Sequence, residues 1–319
     1  MTFGHSLQDN SDQKMLTFLL KRLFHGLAVV WVVTTLTFIL LRLAPGGPFD
    51  RERTLPPEVL ANIEAKYHLD ESLWSQYFRY LEGIVHGDLG PSYKYLDRGV
   101  NQIIAETLPT SALLGLLALL FALAVALPAG LTAAYFRNSR LDRLSLLAAT
   151  LGISLPHFLL GALLIWLFAL QLGWLQAGRW DTAGSMILPT VTLSAAPAAY
   201  LAQLLRGTLI ETLGEDFIRT ARAKGLRERT VVFKHALRNS WMPVLTVMGP
   251  LTAALLTGSF VVEYVFAIPG MGRFFITAVT DRDYPLIMGV TLVYTALLVA
   301  ANFLVDFFYS YLDPRIRIS

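Results

Sequence analysis

Residues 216–230 read DFIRTARAKGLRERT, a charged stretch set between two long apolar segments in a chain that is 55% hydrophobic and only 15% charged. Spread over 319 residues with a mean hydropathy of +0.53, that composition supplies too little polar surface to coat a soluble globule of this size. The solvent for most of the chain is therefore a bilayer. With Asp, Glu, Lys and Arg taken as interruptions, charge-free runs cover 23–41, 108–136, 144–178, 182–205, 239–262 and 284–305. Each reaches the roughly 18–20 residues that a helix rising about 1.5 Å per residue needs to cross about 30 Å of hydrocarbon. The expected fold is an all-α polytopic membrane protein with six transmembrane helices, the charged stretch lying between the fourth and the fifth.

Basic residues are concentrated on one side of those spans. Lys14, Lys21 and Arg22 precede the first; Arg137, Arg140 and Arg143 lie between the second and third; Arg206, Arg219, Arg222, Lys224, Arg227, Arg229, Lys234 and Arg238 lie between the fourth and fifth; Arg315 and Arg317 follow the sixth. The short loops opposite carry only Arg179, Arg273 and Arg282. The positive-inside rule then places both termini and residues 216–230 in the cytoplasm. Residues 1–14 are polar without an apolar face and read as a disordered cytoplasmic tail, residues 15–43 as the first transmembrane helix and 313–319 as a second cytoplasmic tail. A cleaved signal peptide is the alternative for the first run, but RLAPGGPF follows it in place of a small-residue cleavage site. Cysteine is absent, which excludes disulfides and thiolate metal sites.

Residues 44–107 form an outside segment with helical patterning of its own. Pro56 or Pro57 starts a helix with Val59, Leu60, Ile63 and Tyr67 on one stripe. Asp70 is the expected N-cap of a second, on which Leu73, Trp74, Tyr77, Phe78, Leu81, Ile84 and Val85 recur at helical spacing before Gly87 to Gly90 end it. Residues 108–312 hold the remaining five spans around the loop 206–240. Pro128, Pro156, Pro197 and Pro250 fall inside apolar runs, where each removes a backbone hydrogen bond and kinks its helix.

Within the charged stretch, Leu213, Phe217 and Ala221 recur at i+4 with Ile218 beside them, Arg219 and Arg222 share another face, and Gly225 ends the pattern. This predicts a short amphipathic helix that lies on anionic lipid or docks in a partner's groove. Three absences favour a partner. The chain has no GxxxxGK[ST] phosphate loop, neither HExxH nor GxSxG, and almost no intramembrane charge beyond Glu263 and Asp306, the latter four residues from Asn302. An ion-driven carrier usually keeps ionisable groups at the midplane, so either energy enters from outside the chain or the protein is not a pump. His68 and His86 read as surface residues, and His157 as bonded to a neighbouring carbonyl rather than to a metal.

FIRTARAKGL followed by HAL and MPV resembles the cytoplasmic signature loop of the peptide-uptake class of ATP-binding-cassette (ABC) importer permeases. RLAPGGPF, ERTLPPEVLANIEAKYHL, HGDLGPSYKY, ETLPTSALLG, EYVFAIPGMGRFF, RDYPLIMG and the terminal DPRIR agree in order. From about Met15 to the C-terminus the chain is similar to the B-type membrane subunits of bacterial oligopeptide permeases. The resemblance implies a type I importer fold with a small helical periplasmic cap between helices 1 and 2. It also implies a homologous second permease subunit, two ABC ATPase subunits that hold the ATP and Mg, and a periplasmic peptide-binding protein. No cofactor, metal or catalytic residue belongs to this chain, and nucleic acid is not a partner.

Carried onto this sequence, the ATPase-docking coupling helix is Phe217, Ile218, Arg219, Thr220, Ala221, Arg222, Ala223, Lys224, Gly225 and Leu226. The wider superfamily reads Glu-Ala-Ala, three residues, then Gly; here Arg219, Thr220 and Ala221 stand in the first three places. The cap aromatics are read as a face for the binding protein or, for Trp74, Phe78 and Leu81, as the cap's own core. Tyr93 and Tyr95 are expected to be exposed and to contact the binding protein. The implied function is passage of oligopeptides across the inner membrane. A permease for dipeptides or another solute, a proton-coupled secondary carrier, and a receptor or scaffold subunit that transports nothing are the alternatives.

Overall fold

A computed structural model describes residues 3–49, 56–95, 97–256 and 259–312, without the side chains of 3–16, 18, 19, 57, 59, 60 and 305–312. The expectations for Val59, Leu60, Asp306 and the tail 313–319 therefore lie outside the described residues. Among the described residues every named element is helical, with one isolated antiparallel bridge between Pro91 and Gly99. The described residues include five helices long and apolar enough to span a membrane, or six if a bent pair is counted as one span.

The chain divides into two compact units, 1–109 with 273–319, and 110–272. In the first, α1 (Phe3–Leu43) packs along α13 (Tyr284–Leu312). Helix α1 already begins at Phe3, where a disordered tail over 1–14 is the expectation from composition. A helix nucleated in the apolar run extends at the cost of one residue per added hydrogen bond, so polar residues can continue it. Two short helices follow, α2 (Pro57–Lys66) and α3 (Leu73–His86). Ser72, not Asp70, caps α3: its hydroxyl accepts from the Ser75 amide, and Gly87 in the left-handed region closes the other end. The chain then returns on itself, with Val100 N donating to Gly90 O at 2.9 Å as α4 (Val100–Tyr135) begins.

The second unit contains the rest of α4, then α5 (Arg140–Ser154), α6 (His157–Leu164) with a π-helical continuation Ile165–Gln171, and α7 (Ala183–Leu213). It ends with α8 (Asp216–Ala223), the single turn α9 (Glu228–Thr230), a π-helical segment Val231–Ala236, α10 (Leu237–Leu256) and α11 (Phe260–Val265). Helix α12 (Met271–Asp281) crosses the division. The run 144–178 is not one straight span: Arg140–Ser154 and His157–Gln171 meet at 109°. Pro156 is the reason. It forces Leu155 into an extended conformation (ψ 121°) and lacks the N–H a continuous helix needs. His157 Nδ1 lies 3.2 Å from the Thr192 carbonyl oxygen, the type of partner its sequence context implies. Packing is close where residues are small: a Cβ on Gly115 would lie 2.1 Å from the Leu255 carbonyl, so only glycine lets α4 touch α10 there.

Candidate functional site: the docking helix and its base

Helix α7 ends at Leu213, and Gly214 and Glu215 turn the chain before α8 starts at Asp216. That break resets the helical phase, so the stripe Leu213, Phe217, Ala221 does not form one face. The buried residues of α8 are Ile218, fully enclosed, and Ala221. They pack with Ala134 of α4, Leu209 of α7, and Val231 and Ala236 of the π-helical segment; Leu213 joins this cluster from α7. Phe217, in contrast, is 41% exposed. Thr220, Ala223, Lys224 and Leu226 are exposed as well, and Arg219 makes only a surface pair with Asp216 at 3.1 Å.

Arg222 is tied down. Its Nη2 and Nε donate to Glu228 at 2.7 and 3.2 Å, and the bond to that carboxylate holds the guanidinium pKa above its ordinary value. Gly225 adopts φ 75°; its amide donates to Arg222 O at 2.9 Å and the Leu226 amide to Ala221 O at 3.3 Å, a Schellman closure of the helix. The ten residues of the expected docking helix thus include seven of the eight residues of α8, anchored by two apolar side chains, with an aromatic, hydroxyl and basic surface turned outward. Glu228, Val231 and Ala236 complete the base, and no local pattern around 217–226 points to them.

The expected contact pair in the cap is placed differently from the sequence reading. Tyr93 is half-buried: its ring lies 4.6 Å from that of Tyr67 and 5.6 Å from that of Phe49, and burial pushes its phenol up to about 12. Tyr95 is half-buried too, 5.6 Å from Phe274. The chain reversal at Gly87 and Gly90 folds this segment inward. Trp74 and Phe78, read as a possible core, are exposed instead. Two carboxylates organise the neighbouring loops: Asp283, which the sequence reading passed over, and Glu263, which it noted only as a charge near the membrane. Asp283, fully buried, accepts from Ser92 Oγ, from the Tyr93 amide at 3.1 Å and from the Leu286 amide at 3.3 Å. In the other unit, Glu263, also fully buried, accepts from the Gly272 amide at 2.7 Å across the AIPGMG turn. Among the described residues no group of three or more His, Asp or Glu side chains is placed to hold a metal ion.

Comparison with known proteins matches the chain to two family models. Residues 126–318 match the family described as binding-protein-dependent transport system inner membrane component, and residues 15–115 match the corresponding N-terminal family. The chain is 46% identical over 305 residues to the oligopeptide transport system permease protein OppB of Haemophilus influenzae, covering 95% of this chain and 100% of that one. It is 45% identical, with the same coverage, to OppB of Salmonella typhimurium. It is also 45% identical over 304 residues to the dipeptide transport system permease protein DppB of Bacillus subtilis, covering 95% and 99%. The structure of the MetNI methionine ABC transporter in an inward-facing conformation superposes with a TM-score of 0.50 over 66% of this chain and 94% of that one, at 18% identity, a likeness of fold. The chain belongs to the binding-protein-dependent transport system inner membrane components, with the type I ABC importer permease fold.

Proposed function

We propose that the chain is the membrane permease subunit of an ATP-driven importer of oligopeptides. The observation that carries this reading is agreement along nearly the whole chain, 95% of it aligning end to end with oligopeptide permease proteins. A homologous second permease completes the path, one of two ATPase subunits docks on α8, and a peptide-binding protein delivers substrate on the cap side. ATP and Mg belong to the ATPase subunits. The distribution of basic residues supports cytoplasmic termini, a cytoplasmic α8 and a periplasmic cap.

Helix α8 suits the role of lever. Ile218 and Ala221 lock it to the ends of α4 and α7 and to the segment leading into α10, so a push on Phe217 and its neighbours moves the base as one body. Closing of the ATPase dimer then biases the spans between two packings, one open to each side.

A dipeptide substrate is the second reading, favoured by the equal similarity to the Bacillus subtilis dipeptide permease. Growth of a deletion strain on defined peptides of two to six residues separates them. Loss of growth on the longer peptides is the expected result, loss on dipeptides alone selects the second reading, and unchanged growth on all overturns both.

A further inference from the structure

Helix α3 has three distinct arcs. Gln76 and Tyr77 contact α1: Arg42 Nη2 donates to Gln76 Oε1 at 2.9 Å, Tyr77 hydroxyl shares a 2.8 Å hydrogen bond with Thr35 Oγ1, and the Tyr77 ring stands edge-on to Phe38 at 5.3 Å. Ser75, Arg79, Glu82 and His86 form an exposed polar edge. Trp74, Phe78, Leu81 and Val85, spaced four, three and four residues apart, form a third, apolar face, with Trp74 73%, Phe78 62% and Val85 83% exposed and Leu81 half-buried.

The contacts with α1 fix the depth of this face. The charge-free run of α1 covers residues 23–41, and at about 1.5 Å per residue it is about 28 Å long, with nothing to spare against about 30 Å of hydrocarbon. The hydrocarbon boundary therefore falls near Leu41. Thr35, six residues earlier, sits about 9 Å inside it. The backbone of α3 is within one tyrosine side chain of that level. At the same depth α1 presents Leu36, Ile39 and Leu40 outward, the apolar surface that a helix in contact with acyl chains carries. A helix facing water would have no reason to separate its apolar and charged residues into two arcs; one lying along the boundary needs that separation.

We propose that α3 is an interfacial membrane helix, with its Trp74, Phe78, Leu81 and Val85 face in the acyl chains of the cap-side leaflet and its Arg79, Glu82 and His86 edge at the headgroups. The cap is thereby seated in the bilayer, and this face is closed to a soluble delivery protein.

The absence of cysteine makes the test direct. Phe78→Cys, Val85→Cys, Glu82→Cys and, as a lipid reference, Leu36→Cys are each spin-labelled in the assembled transporter in lipid nanodiscs, after confirming that uptake is retained. Collision rates with oxygen and with a water-soluble nickel chelate are compared. The expected result is that positions 78 and 85 match position 36, with oxygen favoured several-fold over nickel, and that position 82 shows the reverse. Nickel access at 78 and 85 equal to that at 82 overturns the proposal in favour of an aqueous face. Shielding from both reagents overturns it in favour of a protein-covered one.

Discussion

Arg206 of α7 clasps the Asp142 carboxylate of α5 through two hydrogen bonds, Nε to Oδ1 at 2.6 Å and Nη2 to Oδ2 at 2.8 Å, and the Asn138 amide adds a third to Oδ2 at 2.8 Å. Asp142 is 2% exposed, so its charge depends on this clasp. Arg206→Ala leaves a buried carboxylate without its counter-charge, a loss of about 2–3 kcal/mol. The expected outcome is a lower thermal aggregation temperature of the detergent-purified protein, with Asp142→Asn milder because an amide oxygen still accepts from Asn138. Equal stability of Arg206→Ala and wild type shows the pair to be dispensable.

Ile218 and Phe217 are neighbours with opposite surroundings. Removing the fully enclosed Ile218 side chain opens a cavity beneath α8, and Ile218→Ala costs about 2–5 kcal/mol. Phe217→Ala removes an exposed ring and leaves the fold within about 0.5 kcal/mol. If the exposed ring is the plug, Phe217→Ala lowers co-purification of the ATPase subunits while melting normally, and Ile218→Ala lowers melting first. Full ATPase retention by Phe217→Ala removes that residue from the docking surface.

How far the sequence foretold these features depends on how local the deciding physics is. Gly225 was readable as a helix stop because one residue's backbone freedom decides it, and the spans because apolar length decides them. The bend at Pro156 was foreseen only as a kink. Proline dictates the break, but the 109° between the two halves depends on what each half packs against. Phe217 and Ile218 are indistinguishable by hydrophobicity, and the two-residue interruption at Gly214 and Glu215 shifted the phase by which they had been sorted. Trp74 and Phe78 face outward because α3 uses Gln76 and Tyr77 against α1, a pairing between segments forty residues apart. The bonds that Asp283 and Glu263 accept were hidden for the same reason, since the donors lie in loops that the fold brings near.

Asp283 is the buried capping carboxylate of α13 and the acceptor that holds the Ser92 and Tyr93 segment. Asp283→Ala strands three donors at once, about 1–3 kcal/mol for each one left buried and unpaired. Limited proteolysis should then cut between residues 87 and 99 while the spans stay inserted, and Asp283→Asn, which still accepts hydrogen bonds, should resist better. An alanine variant as resistant as wild type shows that other contacts hold the cap.

Gly225 separates two explanations of why a glycine ends α8. No atom lies within 4 Å of where a Cβ would be built, so a side chain there meets no steric obstacle. The constraint is the backbone, since φ 75° costs an ordinary L-residue about 1–2 kcal/mol, less for asparagine, which visits that region readily. A β-branched residue should open the Schellman closure, loosen α8 from the Glu228 segment and weaken the proposed lever. Gly225→Val is therefore expected to keep membrane insertion and ATP hydrolysis while peptide uptake falls at least several-fold, and Gly225→Asn to keep most uptake. Uptake by the two variants in reconstituted vesicles, normalised to ATP hydrolysed, measures the coupling. Equal loss in both would mean that the position requires an empty surface for a docked partner rather than a left-handed turn, and normal coupling in both would remove α8's closure from the transmission path.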